Sequence, residues 1–263
     1  MGNLFYRVKN FLYYLTVGSS KGERYMITTD IIIVSYKDEK EIKRCVESIS
    51  HYCKNYNLII ENNNTYNRGF TKAVNDGIKK GSAPFIYLIN SDAIVKNENT
   101  LPALINHFSY HEKVGIVGSM QIDYQNPDLI RCGGVFPHPF PAGRHRGGFI
   151  SSGHWNMPEK QTWQNFASVV LRRNMIDEIG LLDEQCFLLY SDSSYCYTAR
   201  QAGYECWYCP YSQVIHGLKV SKTASEWHKK DMEAFMKKWG IQYDEKTQKF
   251  QYSPEFQKLD MFP

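Results

Sequence analysis

The sequence predicts an α/β fold in which a Rossmann-like, mostly parallel sheet carries helices on both faces. The run Asp30–Ser35 is β-branched and lacks period-2 alternation, as expected of a strand that is buried on both faces. Apolar runs at Asn57–Glu61 and Phe85–Ile89 indicate two more strands, and helical patterns separate the three runs. Strands that alternate with helices are typical of parallel sheets, whose ligands gather at the carboxyl ends of the strands.

Helix and strand signals continue along the rest of the chain. Asp38 and Glu41 have the spacing of a capping box at the start of the first helix, and the second helix ends near Gly81. The further elements expected are a helix capped by Thr100, a strand Val114–Met120, a long loop over 126–157, a strand or helix entry Phe166–Leu171, a helix Asp192–Ala202 closed by Gly203, two short strands around Cys206 and Val214, and a tail helix through Trp239.

The composition suits one large domain with perhaps one appendage, because 43% of the 263 residues are hydrophobic and 22% are charged. The seven cysteines are odd in number and scattered, and no secretory signal opens the sequence, so we expect a cytoplasmic protein. Cys206 and Cys209 form a lone CxxC, which we attribute to buried strand residues rather than to zinc. The net charge of +4 neither demands nor excludes nucleic acid and is compatible with an anionic ligand.

The N-terminal segment, residues 1–27, is amphipathic. Its apolar and aromatic stretch over residues 4–17 contains Arg7 and Lys9 and is too short and too polar to span a bilayer. Two interpretations stay open for it. The stretch fits a basic helix that lies peripherally on a membrane surface, and it fits equally a helix that packs on the domain or on a partner subunit of a homo-oligomer.

Several polar side chains stand where strands end or helices begin. Asp92 follows the strand Phe85–Ile89 and offers the oxygen ligands that Mg²⁺ or Mn²⁺ prefers, with a turn-forming residue as the alternative. Asp192 begins a helix, where a carboxylate acts as a base or simply as a cap. His216 follows a strand and is either a metal ligand or a structural histidine. A basic cluster in the long loop suits a phosphate or acceptor contact, or else a solvated loop: Arg144, His145 and Arg146.

Several short motifs follow one another over roughly residues 28 to 220. The first half of this range contains Val34-Ser35-Tyr36, Asn67-Arg68-Gly69-Phe70 with Asn75, and Leu88-Ile89-Asn90-Ser91-Asp92. Downstream are Cys132-Gly133-Gly134-Val135, Trp163, Val169–Arg173, Ile179–Glu184, Phe187–Asp192, Gly203-Tyr204, Pro210 and His216. In this order the motifs resemble family 2 glycosyltransferases of the rhamnosyltransferase-like branch, with the first set similar to the nucleotide-sugar half of that family. The shared order carries the resemblance, because each motif alone is weak.

The resemblance implies a GT-A fold with a nucleotide-sugar half at 28–120, an acceptor half at 121–220 and a C-terminal helical tail at 221–263. It implies an inverting transfer from a UDP-, dTDP- or GDP-sugar to a glycan, lipid-linked, protein or nucleic-acid hydroxyl. Asp192 would be the base, and Asp92 and His216 would hold Mn²⁺ or Mg²⁺. The residues implied for the donor are Ser35, Tyr36, Glu61, Asn67, Gly69, Lys72, Asn90 and Ser91. Those implied for the diphosphate or acceptor are Arg144, His145, Arg146 and Trp163.

Two departures from the family pattern bear on catalysis. Ser191 and Ser194 stand where the family has acidic residues, which leaves Asp192 as the carboxylate of that turn. A noncatalytic nucleotide-sugar-binding module of the same fold is therefore the alternative function. The stretch before Asn67 is also shorter than in the family, so Glu61 is the expected substitute for the acid that contacts the base or ribose.

Overall fold

The structure, a computed structural model, describes residues 29–136, 140, 142, 144–151, 153–217 and 222–259. The predicted amphipathic segment 1–27, with its membrane or subunit contact through residues 4–17, lies outside these residues. Within the described ranges, the helices are too short or too polar to cross a bilayer.

The described elements alternate between strands and helices, as predicted. The strands are β1 (Thr29–Ser35), β2 (Tyr56–Asn62), β3 (Phe85–Ile89), β4 (Ala93–Val95), β5 (Val114–Asp123), β6 (Leu129–Phe136), β7 (Arg144–Ser151), β8 (Glu159–Gln161), β9 (Ser168–Arg172), β10 (Glu205–His216), β11 (Gln242–Asp244) and β12 (Lys249–Gln251). The helices are α1 (Glu39–Tyr52), α2 (Phe70–Lys80), α3 (Thr100–His107), α4 (Arg173–Ile179), α5 (Ser191–Gln201), α6 (Lys222–Trp239) and α7 (Pro254–Gln257).

The central sheet has the strand order β2-β1-β3-β9-β5-β10-β4. Strands β2, β1, β3, β5 and β10 share one direction, which confirms the predicted parallel arrangement for them, whereas β9 and β4 run the opposite way. Strand β9 is antiparallel because it enters the sheet at the edge where β3 ends, with Ser168 opposite Ile89. The Asn90 N–H donates to the Ala167 carbonyl at 2.9 Å, so the chain before β9 crosses the carboxyl edge of the sheet.

Helices cover both faces of the sheet, as predicted, because β1 sends alternate side chains into two cores. Ile31 and Ile33 pack in the core that holds Ile49 of α1, and Ile32 packs in the opposite core with Val74 of α2. All five side chains are at most 2% exposed. Burial of each contributes about 1.5–3 kcal/mol to folding.

The prediction of a long loop over 126–157 is wrong, because this region contains the antiparallel hairpin β6–β7. Its glycines suggested a loop, but they permit bulges in the hairpin, where the register shifts on both sides of Cys132. Gly134 and Gly147 have φ values of 93° and 134°. A Cβ atom at Gly147 would also lie 3.0 Å from the carbonyl oxygens of Ile130 and Arg131. Glycine is therefore required inside the hairpin.

Three local predictions also need correction. Asp38 makes no side-chain cap of α1, so the capping box with Glu41 is absent. Thr100 is the first helical residue of α3 rather than its cap, and its hydroxyl donates to the Gln213 carbonyl at 2.9 Å. The two short strands around Cys206 and Val214 are one strand, β10, with a register shift in the middle.

The C-terminal tail contains the predicted helix, α6, but also the β11–β12 hairpin and α7. Phe235 and Trp239 of α6 and Phe256 of α7 are at most 5% exposed and pack in the same core as Ile32. The tail therefore lies against the α2 face of the sheet and contributes large apolar side chains to its core.

Candidate active site

An open cleft of about 650 Å³ lies at the carboxyl ends of β1 and β3, beside the first turn of α5. Residues predicted from the sequence that line this cleft are Tyr36, Asn67, Asn90, Ser91, Asp92, His145, Trp163, Asp192 and His216. They come from distant parts of the chain and meet there because β9 and the C-terminal end of β10 reach the same edge of the sheet.

Asp92 and His216 form an adjacent pair in the cleft. His216 Nε2 lies 3.3 Å from Asp92 Oδ1, because β10 runs antiparallel to β4 with His216 opposite Ala93. The Gly217 N–H also donates to the Asp92 carbonyl at 3.0 Å, which fixes the two backbones relative to each other.

The hydrogen bonds behind His216 assign its tautomer. The Ala167 N–H donates to Asn165 Oδ1 at 2.9 Å, so this atom is an acceptor, and Gln121 Nε2 donates to it as well at 2.9 Å. Gln121 Oε1 is therefore left to accept from His216 Nδ1 at 2.9 Å. A protonated Nδ1 in the neutral ring leaves the lone pair of His216 Nε2 directed at the Asp92 carboxylate.

This donor set fits a divalent cation, because the neutral imidazole of His216 presents an Nε2 lone pair only 3.3 Å from a carboxylate oxygen of Asp92. Imidazole nitrogen and carboxylate oxygen are both ligands of Mn²⁺. Among the described residues, no cluster of three or more His, Cys, Asp or Glu side chains forms a complete metal site. Asp92 and His216 would accordingly leave coordination positions for diphosphate oxygens and water.

Asp192 lies in the first turn of α5 and lines the same cleft. Its Oδ1 accepts the Ser193 N–H at 2.8 Å, and the backbone of Phe166 lies close enough to favour the ionised carboxylate as well. Burial raises the pKa of this carboxyl to about 6, although the backbone donors act in the opposite direction. A carboxyl group with this pKa is ionised at neutral pH and basic enough to accept a proton from a hydroxyl.

The serines that replace the family's acidic residues are both buried in the structure. Ser194 Oγ accepts the Trp239 Nε1–H at 3.1 Å, so α6 occupies the space beside this position. An ionised carboxylate at Ser194 would be buried next to an indole ring, which is costly without a cationic partner.

Asp38 is a cleft residue that the sequence analysis assigned to a helix cap. Its two carboxylate oxygens accept the hydroxyls of Ser35, at 2.6 Å, and of Ser91. The carboxylate thus connects the ends of β1 and β3 and lines the cleft. Local sequence gives no signal for this role, because Ser91 lies 53 residues away. Other cleft residues that were not predicted are Lys37, Asn63, Phe140, Asn165, Tyr190 and His228.

Some predicted donor residues do not line the cleft. Glu61 is 2% exposed and pairs with Arg68 at 3.1 Å and Lys80 at 2.6 Å. Lys72 lies near Asp76 and Glu184 on the protein surface. Ser35 is buried and acts through Asp38. In the structure these side chains pair with other protein groups, and their donor contacts stay predictions.

The basic cluster is split by the β7 strand. Arg146 is 7% exposed, pairs with Glu159 and donates to the Gly133 carbonyl at 2.7 Å, so it does not line the cleft. His145 does line it, and its ring packs edge-on against Trp163 at 5.4 Å. The side chain of Arg144 lies outside the described part of the structure.

Gly69 begins α2 with a φ of 87°. A Cβ atom here would lie 2.7 Å from both the carbonyl oxygen and the ring of Phe187. The Gly69 N–H donates to Asn67 Oδ1 at 3.1 Å, which orients a residue of the cleft. Glycine is thus required for the close approach between the start of α2 and the segment before Asp192.

Two known structures of similar fold are glycosyltransferases. GalNAc-T7 with UDP, GalNAc and Mn²⁺ has a TM-score of 0.65 at 14% identity, covering 86% of this chain and 50% of that chain. The mannosyltransferase PcManGT from Pyrobaculum calidifontis, in complex with GDP-Man and Mn²⁺, has a TM-score of 0.57 at 11% identity, covering 97% and 74%. These likenesses confirm the predicted GT-A fold, and this chain spans about half the length of the GalNAc-T7 chain.

The sequence itself also has a family match. No curated protein matches it significantly. Residues 17–237, however, match the family model described as glycosyltransferase like family 2. Because this match spans well over half of the chain, the protein belongs to glycosyltransferase like family 2.

Proposed function

We propose that the protein is a metal-dependent, inverting glycosyltransferase that transfers a sugar from a nucleotide sugar to an acceptor hydroxyl. The observation that carries the proposal is that Asp192, with a pKa of about 6, lines the same cleft as the Asp92–His216 pair. A base and a metal site in one cleft are the two parts that single displacement at an anomeric carbon requires.

In this mechanism Asp192 accepts the proton of the acceptor hydroxyl, whose oxygen forms the new bond to the anomeric carbon. The bond from that carbon to the diphosphate breaks on the opposite face, which inverts the configuration. Mn²⁺ or Mg²⁺ held by Asp92 and His216 would neutralise the charge that develops on the leaving diphosphate. Asn90 and Asn67 line the cleft near these groups and are proposed donor contacts.

Asp38 is proposed as a further donor contact. Its carboxylate is oriented by the hydroxyls of Ser35 and Ser91 and retains acceptor capacity toward the cleft. A carboxylate so placed suits the hydroxyls of a ribose or the N–H of a base. The nucleotide remains a choice among UDP, dTDP and GDP, of which the rhamnosyltransferase-like resemblance favours dTDP or UDP.

A thermal-shift screen of UDP, dTDP and GDP, each with and without Mn²⁺, tests donor binding, since a ligand of the folded state raises the melting temperature by mass action. The selected nucleotide then defines a panel of nucleotide sugars for a turnover assay that measures nucleotide release. We expect metal-dependent turnover that Asp192→Asn abolishes. Binding without turnover, unchanged by Asp192→Asn, would instead support the noncatalytic binding module.

A further inference from the structure

We propose that Asp231, on the C-terminal helix α6, is a positioning residue for Asp192. It would act by fixing the backbone of residues 187–190, here called the 187–190 segment, which leads directly into α5. The inference rests on the proposed function, because it assigns α6 a role in the reaction of that same cleft.

Asp231 is 1% exposed, and its carboxylate accepts three consecutive backbone N–H groups. Phe187 N–H donates to Oδ1 at 2.9 Å, and Leu188 and Leu189 N–H donate to Oδ2 at 2.8 Å each. Hydrogen bonds to an ionised acceptor are stronger than those between neutral groups. One side chain of α6 therefore holds the segment at three successive residues.

The opposite side of the segment contacts the start of α2. The Phe187 carbonyl accepts the N–H groups of Phe70 at 2.8 Å and Thr71 at 3.3 Å. Gly69 permits this approach, since any Cβ there would meet the Phe187 carbonyl. The segment is thus bonded to α6 on one side and to α2 on the other.

The segment ends in a backbone conformation that needs external support. Tyr190 has a φ of 62°, in the left-handed region, which is unfavourable for a bulky residue. Its hydroxyl bonds to His228 Nε2 at 2.9 Å, and its ring packs 5.6 Å from that of Phe235. Both partners belong to α6. Asp192 follows two residues later, so the same helix stabilises the strained turn that sets where the base lies.

Without the Asp231 carboxylate, the three N–H groups would lose their acceptor, and unpaired donors beside the packed α6 helix are unfavourable. The segment would relax to bond with water, and the start of α5 would move with it. A displacement of a catalytic group by about 1 Å lowers the rate by about 100-fold. Asp231 is therefore expected to affect the chemical step without contacting the substrate.

The test compares Asp231→Asn with wild type in the full chain. Asparagine keeps the shape but has one acceptor oxygen, and its NH₂ group would face a backbone N–H. We expect faster hydrogen–deuterium exchange of the amides at 187–189 and a fall in kcat of about 10- to 100-fold. The affinity for the nucleoside diphosphate selected by the thermal-shift screen, measured with Mn²⁺, should change by less than about threefold. The proposed metal ligands Asp92 and His216 lie outside both α6 and the 187–190 segment.

Asp244→Asn is the matched control, since Asp244 also accepts backbone N–H groups of the C-terminal region, from Lys246 at 2.9 Å and Thr247 at 3.3 Å. It lies on the β11–β12 hairpin, so kcat and exchange at 187–189 should equal those of wild type. Asp231→Glu, which keeps a carboxylate but displaces it by one methylene group, provides a milder variant if Asp231→Asn fails to fold. It should lower kcat in the same direction by a smaller factor.

Wild-type kcat in Asp231→Asn despite faster exchange at 187–189 would overturn the proposal, as would a lower kcat with unchanged exchange. Where Asp231→Asn does not fold, wild-type kcat in Asp231→Glu despite faster exchange at 187–189 has the same consequence. A wild-type protein without nucleotide-sugar turnover would overturn the proposed function instead. The exchange data would then still decide whether Asp231 holds the segment.

Discussion

Gln121 accepts a hydrogen bond from His216 Nδ1 at 2.9 Å and so directs His216 Nε2 toward Asp92. The orientation of the Gln121 amide is in turn fixed by Asn165, whose Oδ1 already accepts a backbone N–H. Residues behind a metal ligand commonly fix its tautomer and its direction. The Gln121–His216 hydrogen bond thus links the sheet interior to the proposed metal site.

Gln121→Met should weaken Mn²⁺ binding by about 10- to 100-fold, because His216 loses the acceptor that keeps its proton on Nδ1. Electron paramagnetic resonance titration of free Mn²⁺ measures this affinity without any turnover, and ¹⁵N shifts of His216 report the tautomer. Gln213→Met is the control, since Gln213 lies on β10 but contacts Lys96 rather than His216. Equal Mn²⁺ affinity in both variants would show that Gln121 does not position the ligand.

Asp192→Asn should lower kcat by about 100- to 10,000-fold, the range that general-base catalysis contributes. For the wild type, we expect kcat/KM to fall as the pH drops through about 6, the pKa of the Asp192 carboxyl, because the base must be ionised. A pH–rate profile over this window measures the effect. An acidic limb that persists unchanged in the residual activity of Asp192→Asn would assign the titration to another group.

The same pKa has a consequence for stability with a definite sign. A carboxyl group whose pKa is raised by folding stabilises the protein at pH values below its ordinary pKa of 3.8. This contribution is lost as the pH rises through about 6. Asp192→Asn should therefore melt at a higher temperature than wild type at pH 8, with a smaller difference at pH 5. Asp244→Asn should show no such gain at pH 8, because its partners lower the pKa of Asp244. Melting curves of both variants at the two pH values provide the comparison.

Gly69→Ala should destabilise the protein more than Gly180→Ala. Both glycines have positive φ, at 87° and 85°, with ψ of 163° and −177°, a region nearly restricted to glycine, so each alanine costs about 1–3 kcal/mol of backbone strain. Only at Gly69 does the new Cβ also meet Phe187, at 2.7 Å, whereas nothing lies within 4 Å at Gly180. We expect Gly69→Ala to cost about 3 kcal/mol in chemical denaturation. Equal losses for the two variants would mean that the Phe187 contact adjusts freely.

The sequence predicted those parts of the protein that depend on local pattern or on motif order. Asp30–Ser35 and Phe85–Ile89 are strands because their apolar runs are buried on both faces. Asp92, His216 and Asp192 meet in one cleft because each stands at an element end on the same edge of the sheet.

The features that the sequence did not predict depend on contacts between distant segments. Asp38 has the spacing of a helix cap, but its carboxylate accepts hydrogen bonds from two serine hydroxyls instead. One of these serines, Ser91, follows a different strand, β3. Asp231 lies in an ordinary polar face of a helix by sequence, and its burial against the 187–190 segment appears only in three dimensions. The glycines of β6 and β7 indicate a loop unless the bulged pairing is known.

Glu61 and Asp38 give opposite expectations that separate stability from donor binding. Glu61→Gln should lower the free energy of unfolding by about 1–3 kcal/mol, because Arg68 would lose a buried anionic partner, while nucleotide affinity stays near wild type. Asp38→Asn should weaken binding of the selected nucleoside diphosphate by about tenfold, the loss of about one hydrogen bond to a charged group. Urea denaturation and calorimetric titration in the presence of Mn²⁺ measure the two quantities on each variant. Weakened nucleotide binding in Glu61→Gln with unchanged stability would support the donor role that the family resemblance implies for Glu61.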